Sequence, residues 1–396
     1  MRAAILYGFH QSGHVVACER IASALSGVAT DPQIVSPLDN DILRESIGKV
    51  YRQFAMHSVN AIPATLTDER FRDALYDEVE EAIGSQLAGV DVILSTHAYS
   101  TWLSAKHLTV SGNTSCRLID VQTDYSDWPV YPHDRVDAYV GPELRFRKGL
   151  YHNMHEIGIP LPTQHPLSAS NGERPQWLQE LLSQRPVLIV GGADGFGPVE
   201  EAVEALYDQG IPVLVVTGRN KDLYECLAQR LRTRNARERI GILGFVRDLW
   251  QLMPKSRAVV TKAGGMTVTD AFFAEVPVIC TPPVLAWEAE SMAQLDAMGA
   301  VHNLWEWDDM NSQRCRDVLK NGEMARSIAR KGKELLNNNY ADDLREITQN
   351  SQTERRSPTL EAARKVMSDV SRKGIRDRLV YTAAGRLLAR EMDKYE

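Results

Sequence analysis

The sequence predicts an α/β protein made of two doubly wound domains facing across a cleft. Three observations carry that expectation. Short apolar runs alternate with amphipathic stretches, the alternation occurs in two separate blocks, and a proline-containing polar stretch divides them. Such alternation is the pattern of parallel strands joined by crossover helices.

In the first block Ala3 to Tyr7 reads as a strand, and Val15, Cys18, Ala22 and Leu25 mark a helix face. Asp91 to Leu94, Arg117 to Val121 and Val136 to Val140 read as further strands, with a long helical stretch over 42–88 between. Residues 160–186, rich in Pro, Ser, Asn, Gln and Gly, have the composition of an exposed connector, which places a domain boundary near residue 170. The second block has strands at Pro186 to Val190, Pro212 to Val216, Ile240 to Leu243, Arg257 to Thr261 and Pro277 to Thr281, each followed by a turn and a helix. After residue 320 the chain is charged and helical, with a polar break at Gln349 to Pro358. The expected organisation is therefore two Rossmann-like domains, 1–170 and 171–330, and a helical tail, 331–396, packing back on the first.

Composition excludes several function classes. With 396 residues, 43% hydrophobic and 24% charged, the chain is long enough for two cores. A formal net charge of -7 offers no basic stripe, so no nucleic-acid partner is expected. The five cysteines are scattered, with no zinc-finger spacing, and read as reduced cytoplasmic thiols. No run approaches the roughly 18 apolar residues of a membrane span. Asp39-Asn-Asp41 reads as a turn and helix cap rather than a metal site, so no metal is expected.

In doubly wound sheets ligands sit outside the carboxyl ends of the strands, so chemistry belongs just after them. The first strand runs into Gly8-Phe-His-Gln-Ser-Gly13-His14-Val15, which puts backbone N–H groups and a histidine at a helix start. The same residues also suit a plain glycine-rich turn. After the first strand of the second block, Gly192 lies in Gly191-Gly-Ala-Asp-Gly195; after the next, Arg219 lies in Thr217-Gly-Arg-Asn220. Both turns suit phosphate oxygens, or simple strand-to-helix connections. Lys262-Ala-Gly264-Gly265-Met266-Thr267-Val-Thr-Asp270 is the stronger anion candidate, since two glycines let backbone approach at the positive end of the helix that follows. Asp270, one turn inside, has the reach to meet ribose hydroxyls, or it complements the helix dipole.

These runs, with Gly244-Phe-Val-Arg-Asp-Leu, Pro277-Val-Ile-Cys-Thr-Pro-Pro-Val, Glu288-Ala-Glu290 and Gly299-Ala300, resemble the donor half of GT-B glycosyltransferases. More narrowly they resemble monogalactosyldiacylglycerol synthases and processive diacylglycerol glucosyltransferases, with the peptidoglycan N-acetylglucosaminyltransferase as a cousin. Gly13-His14, Ser95-Thr-His97, Thr123-Asp124-Tyr125 and Val136-Asp137 extend the resemblance over roughly residues 3–305. It implies an inverting, metal-independent transfer of a hexose or N-acetylhexosamine from a uridine-diphosphate (UDP) sugar, a substrate rather than a cofactor, held by the second domain to an acceptor held by the first. The resemblance assigns uracil to the backbone at Phe245 and Val246, the diphosphate to Gly264, Gly265, Met266 and Thr267, the ribose to Asp270, and donor-sugar hydroxyls to Glu288 and Glu290. It makes His14 the general base and Asp124 its supporting or acceptor-side carboxylate, with Gly13, His97 and Tyr125 on the acceptor side.

Departures from the family pattern fall near the sugar. The usual Gly-Gln-Glu is Ala286-Trp287-Glu288, so an amide gives way to an indole that removes a hydrogen bond and adds a stacking face. The first glycine loop is bulkier, with Gln11 and Ser12 before Gly13. For the acceptor, Leu43, Ile47, Val50, Tyr51, Phe54 and Ala55 with Arg44, Lys49 and Arg52 suit an interfacial helix or a core-facing one. The acidic composition favours the core reading, and with it a soluble small-molecule acceptor over diacylglycerol. Two other classes share this architecture: a sugar-nucleotide epimerase and a non-catalytic sugar-nucleotide scaffold.

Overall fold

The computed structural model describes residues 1–8, 13–38, 69–126, 134–145, 153–162, 174–193, 195, 199–233, 239–283, 286–320 and 322–350. Asp39, Asp41, the 42–58 segment and the tail beyond 350 lie outside them. The described residues divide into two compact units, the first built on Met1–Pro160 and the stretch from Asn337 to residue 350, the second on Leu161–Pro283 and Glu288–Leu336.

The first unit is a six-stranded parallel sheet of order β2-β1-β3-β4-β5-β6. Its strands are β1 (Ala3–Leu6), β2 (Gln33–Val35), β3 (Val92–Ser95), β4 (Arg117–Val121), β5 (Ala138–Val140) and β6 (Met154–His155). β1 and β3 are buried at every position, which is why they read as unbroken apolar runs rather than alternating ones. Alternate residues serve opposite faces. Ile5, Leu94, Ile119 and Val121 pack against Cys18 and Ile21 of α1 (Gly13–Ala24) and Leu25 just after it. Leu6, Ile93 and Leu118 pack against Val79 and Ile83 of α2 (Glu69–Gln86) and Leu103 and Leu108 of α3 (Ala98–Val110).

The second unit is a six-stranded parallel sheet of order β12-β11-β10-β7-β8-β9. It contains β7 (Val187–Val190), β8 (Val213–Val216), β9 (Ile240–Leu243), β10 (Ala258–Thr261), β11 (Val278–Cys280) and β12 (His302–Asn303). Its helices are α4 (Gln176–Ser183), α5 (Val199–Asp208), α6 (Lys221–Thr233), α7 (Gly265–Phe273), α8 (Ala286–Ala297), α9 (Gln313–Leu319) and α10 (Glu323–Glu334). Val187, Ile189, Val213 and Val215 share a core with Ala202, Val203 and Leu206 of α5 and Val318 of α9.

The apolar runs expected to be strands are strands. Sequence pattern passes over β2, β6 and β12, edge strands of two or three residues, too short to carry a period to read. After α10 the chain returns to the first unit as α11 (Tyr340–Gln349). Tyr340, Leu344 and Ile347 enter the core of α1, and the Arg345 guanidinium donates to the carbonyl of Ala24 at the end of α1, distance 2.6 Å, where a cation also suits the helix dipole. Among the described residues no helix is long and apolar enough to cross a membrane.

Candidate active site

Each sheet has a switch point where strand order reverses, and the loops leaving its two central strands diverge there to leave a crevice. In the first unit these strands are β1 and β3. β1 leads to His14 at the second position of α1, and β3 leads to His97, the N-cap of α3. The two imidazoles meet edge to face, centroids 4.9 Å apart with an interplanar angle of 79°.

His97 is fixed from several sides. Its Nδ1 accepts the backbone N–H of Tyr99 at 3.3 Å, so the neutral ring carries its proton on Nε2. The Tyr99 ring stacks on it at 5.7 Å. On the β1 side the backbone of Gly8 lies so close that a Cβ there would stand 2.4 Å from Cγ of His97, which explains a glycine directly after the first strand. Burial and the nearby His14 hold His97 well below the usual histidine range.

His14 is also shifted down, chiefly by burial, while the charge of Asp124 and a hydrogen bond with the Thr96 backbone act in the opposite direction. Its Nδ1 lies 3.4 Å from Thr123 Oγ1. Desolvation is thus the main reason that the His14 ring favours its neutral form. Asp124 is near enough to bias His14 electrostatically, and Tyr125 is buried at 2% exposure. Gly13 opens α1.

One acid in this region escapes sequence reading. Asp120, paired in register with Ser95, is the penultimate residue of β4 and accepts a 2.6 Å hydrogen bond from Thr101 in the first turn of α3. Burial pushes its carboxyl up to about 6, a shift that the Thr101 hydroxyl partly offsets. An aspartate inside the run Arg117-Leu-Ile-Asp-Val121 was the available signal, since a carboxylate between buried apolar strand residues needs a partner.

In the second unit the switch-point strands are β7 and β10. Gly192 lies in the turn after β7 at φ +75°. Gly218, at φ +61° in the turn after β8, packs so tightly that a Cβ would lie 2.3 Å from Ala193 O. Together with the bond from Arg219 N to Ala193 O at 2.9 Å, this locks the two turns to each other. Arg219 then lies over the Phe245 ring, 3.9 Å from guanidinium carbon to centroid. Phe245 is 47% exposed, an aromatic platform beyond β9, and Val246 beside it is half-buried.

β10 leads through Lys262, Ala263 and Gly264 into α7. Gly264 is the N-cap, in extended conformation, and makes no side-chain cap hydrogen bond of its own; the N–H groups of Gly265, Met266 and Thr267 lie at the positive end of the helix. Asp270, one and a half turns on, is 7% exposed. Glu288 and Glu290 stand not before a helix but inside α8, which starts at Ala286 and includes Trp287. Both acids are buried, yet two residues apart on a helix they point to different sides. Glu288 reaches back to Lys262, with Nζ to Oε1 at 3.2 Å, a partner absent from the sequence argument.

No protein-family model matches the chain. It is 30% identical over 189 residues to the "Processive diacylglycerol beta-glucosyltransferase" of Bacillus subtilis, an overlap of 46% of this chain and 49% of the relative. A Bacillus cereus protein of the same name is 25% identical over 218 residues, 53% of this chain and 55% of the relative. The chain thus spans about half the length of the relatives it matches. Among solved structures, Acinetobacter baumannii MurG superposes with a TM-score of 0.56 at 13% identity, covering 88% of this chain and 99% of MurG. Two parallel sheets, each wound about its own switch point, and these matches place the chain in the GT-B fold, as a distant homologue of the processive diacylglycerol β-glucosyltransferases.

Proposed function

We propose that the protein is an inverting glycosyltransferase that moves glucose from a UDP-sugar to the free hydroxyl of a diacylglycerol. The observation that carries the reaction class is His14, a neutral imidazole at the carboxyl end of the first sheet with a carboxylate close enough to stabilise its protonated form. An acceptor hydroxyl must lose its proton as it attacks the anomeric carbon, and a base that is neutral near pH 7 and gains stability once protonated suits that step. The departing diphosphate needs fixed dipoles aimed at its growing charge, and the first turn of α7 supplies the positive end of a helix already fixed in place. Phe245 and Val246 would receive the uracil, Asp270 the ribose, and Gly192 and Arg219 would border the phosphates.

Composition favoured a soluble acceptor, and that preference gives way here. The similarity to diacylglycerol glucosyltransferases supports a lipid hydroxyl, and a net charge of -7 weighs little against it, because an interfacial enzyme needs a local apolar face rather than a basic whole.

The test is product analysis. Incubated with UDP-glucose and vesicles containing diacylglycerol, the protein should yield a monoglucosylated lipid detectable by mass. Glucose transferred solely to soluble hydroxyl compounds would overturn the acceptor, and an isomerised sugar nucleotide formed from donor alone would overturn the reaction class in favour of an epimerase.

A further inference from the structure

Lys262 follows β10 directly, and its side chain runs across the crevice at the second switch point. Its Cε lies 3.5 Å from where a Cβ would stand on Gly192 and 3.9 Å from where one would stand on Gly264. The stem therefore passes over both glycine turns assigned to phosphate, the one after β7 and the one that opens α7. Beyond them the ammonium meets Glu288 at 3.2 Å. The two ends of this pair differ in their surroundings: the Glu288 side chain is 3% exposed and the Lys262 side chain 30%. Glu288 also sits in the first turn of α8, where the helix dipole favours a negative charge. The carboxylate is thus held by two positive features, of which one is fixed backbone and the other is a flexible four-carbon stem.

We propose that the Lys262–Glu288 pair is a latch released by the diphosphate of the donor. This rests on the donor reading above. Before the nucleotide binds, Nζ is held by Glu288. A diphosphate seated on the first turn of α7 brings more negative charge and more acceptor oxygens than one carboxylate, and it draws Nζ back along its own stem toward the Gly192 and Gly264 turns. Glu288 stays in place, held by the end of α8, and its oxygen is freed to accept a hydrogen bond from a hydroxyl of the donor sugar. The exchange orders the site: phosphate contact first, sugar contact as its consequence. It also favours the leaving group, since UDP carries more charge than its sugar ester and Lys262 gains most where that charge develops. Once the sugar has departed, Glu288 competes for the ammonium again and helps the product leave. An ordinary structural ion pair would do none of this, because its lysine would not change partner.

The experiment compares UDP and UMP binding by calorimetry for the full chain and for Lys262→Gln, Glu288→Gln and the double variant, with Lys262→Arg as a charge-retaining control. Lys262→Gln should weaken UDP at least about tenfold while UMP, lacking the second phosphate, changes by less than about threefold, in line with loss of one charge-assisted contact. Glu288→Gln, which frees the lysine but keeps size and hydrogen bonding, should tighten UDP by about threefold or more, a gain absent when Lys262→Gln is also present. Lys262→Arg should keep most of the UDP affinity and carries the test should the glutamine variant not fold. UDP affinity that is indifferent to Lys262, or a gain from Glu288→Gln that survives without Lys262, would overturn the latch while leaving the donor site standing. Failure of the unaltered protein to bind UDP at all would remove the donor reading, and the latch with it.

Discussion

The two switch points are built alike and equipped differently. Both lie between adjacent parallel strands whose following loops open helices, β1 and β3 in the first unit, β7 and β10 in the second. The first is furnished with rings: His14 against His97, His97 against Tyr99. Its helix starts are occupied by histidines that burial keeps neutral. The second is furnished with backbone and cations, namely a glycine-capped helix start, tight glycine turns, Arg219 and Lys262. A neutral ring can take a proton, whereas a positive helix end can hold an anion. On the proposed reading, one topology serves acid–base work in one unit and phosphate in the other, and the difference lies in the residues that follow each strand.

The largest expected effect breaks that division most directly. His14→Ala should lower turnover by about 10²- to 10⁴-fold, the usual worth of a general base, while UDP affinity measured by calorimetry stays unchanged. A comparable loss of UDP affinity would mean that the two crevices do not divide the work this way. Next in size is Gly8→Ala. Its methyl would overlap the His97 ring, and relieving that overlap should cost about 1–3 kcal/mol of stability in a denaturant titration, the range for overpacking a tight site. On the other side of the comparison, Asp270→Ala should raise the dissociation constant for UDP roughly tenfold, as expected for a hydrogen bond to a charged group, with the pH profile of turnover unmoved.

How legible these two regions are from sequence differs in the same way. The strands of both sheets announce themselves because burial on both faces leaves unbroken apolar runs such as Val187-Leu-Ile-Val190. Glycines after a strand are equally visible, since close approach of backbone admits no other residue. Partnerships between side chains distant in sequence are not. Nothing local says that Lys262 meets Glu288, that Thr101 meets Asp120, or that Gly8 exists to admit the ring of His97. Family likeness singles out His14 as the candidate base, but not the cause of its lowered pKa, because desolvation is a property of the assembled fold rather than of a helix end.

The remaining predictions concern pH and sharpen the contrast within the first crevice. His14 titrates below its ordinary value, so the acid limb of the rate profile should lie below pH 6.5. Asp124→Asn removes the charge that raises His14, and the limb should move lower still as kcat falls; a limb that moves upward would contradict the assigned role of that carboxylate.

Asp120 has the opposite sign. Its carboxyl is raised to about 6 from 3.8, so between those values the folded protein binds more protons than the unfolded chain. The associated stability is present below pH 3.8 and is lost as pH rises through 6. The lowered histidines His14 and His97 do the reverse, since they withhold a proton that the unfolded chain takes up, and so they erode stability as pH falls below about 6.5. Asp120→Asn keeps an oxygen for the Thr101 hydroxyl and removes the buried charge. It should raise the thermal midpoint by a few degrees, about 2–4 °C, at pH 7.5, and by less at pH 5, where the native carboxyl already holds its proton. Equal shifts at both values would mean that the charge is solvated and that the Asp120 carboxyl keeps its ordinary value.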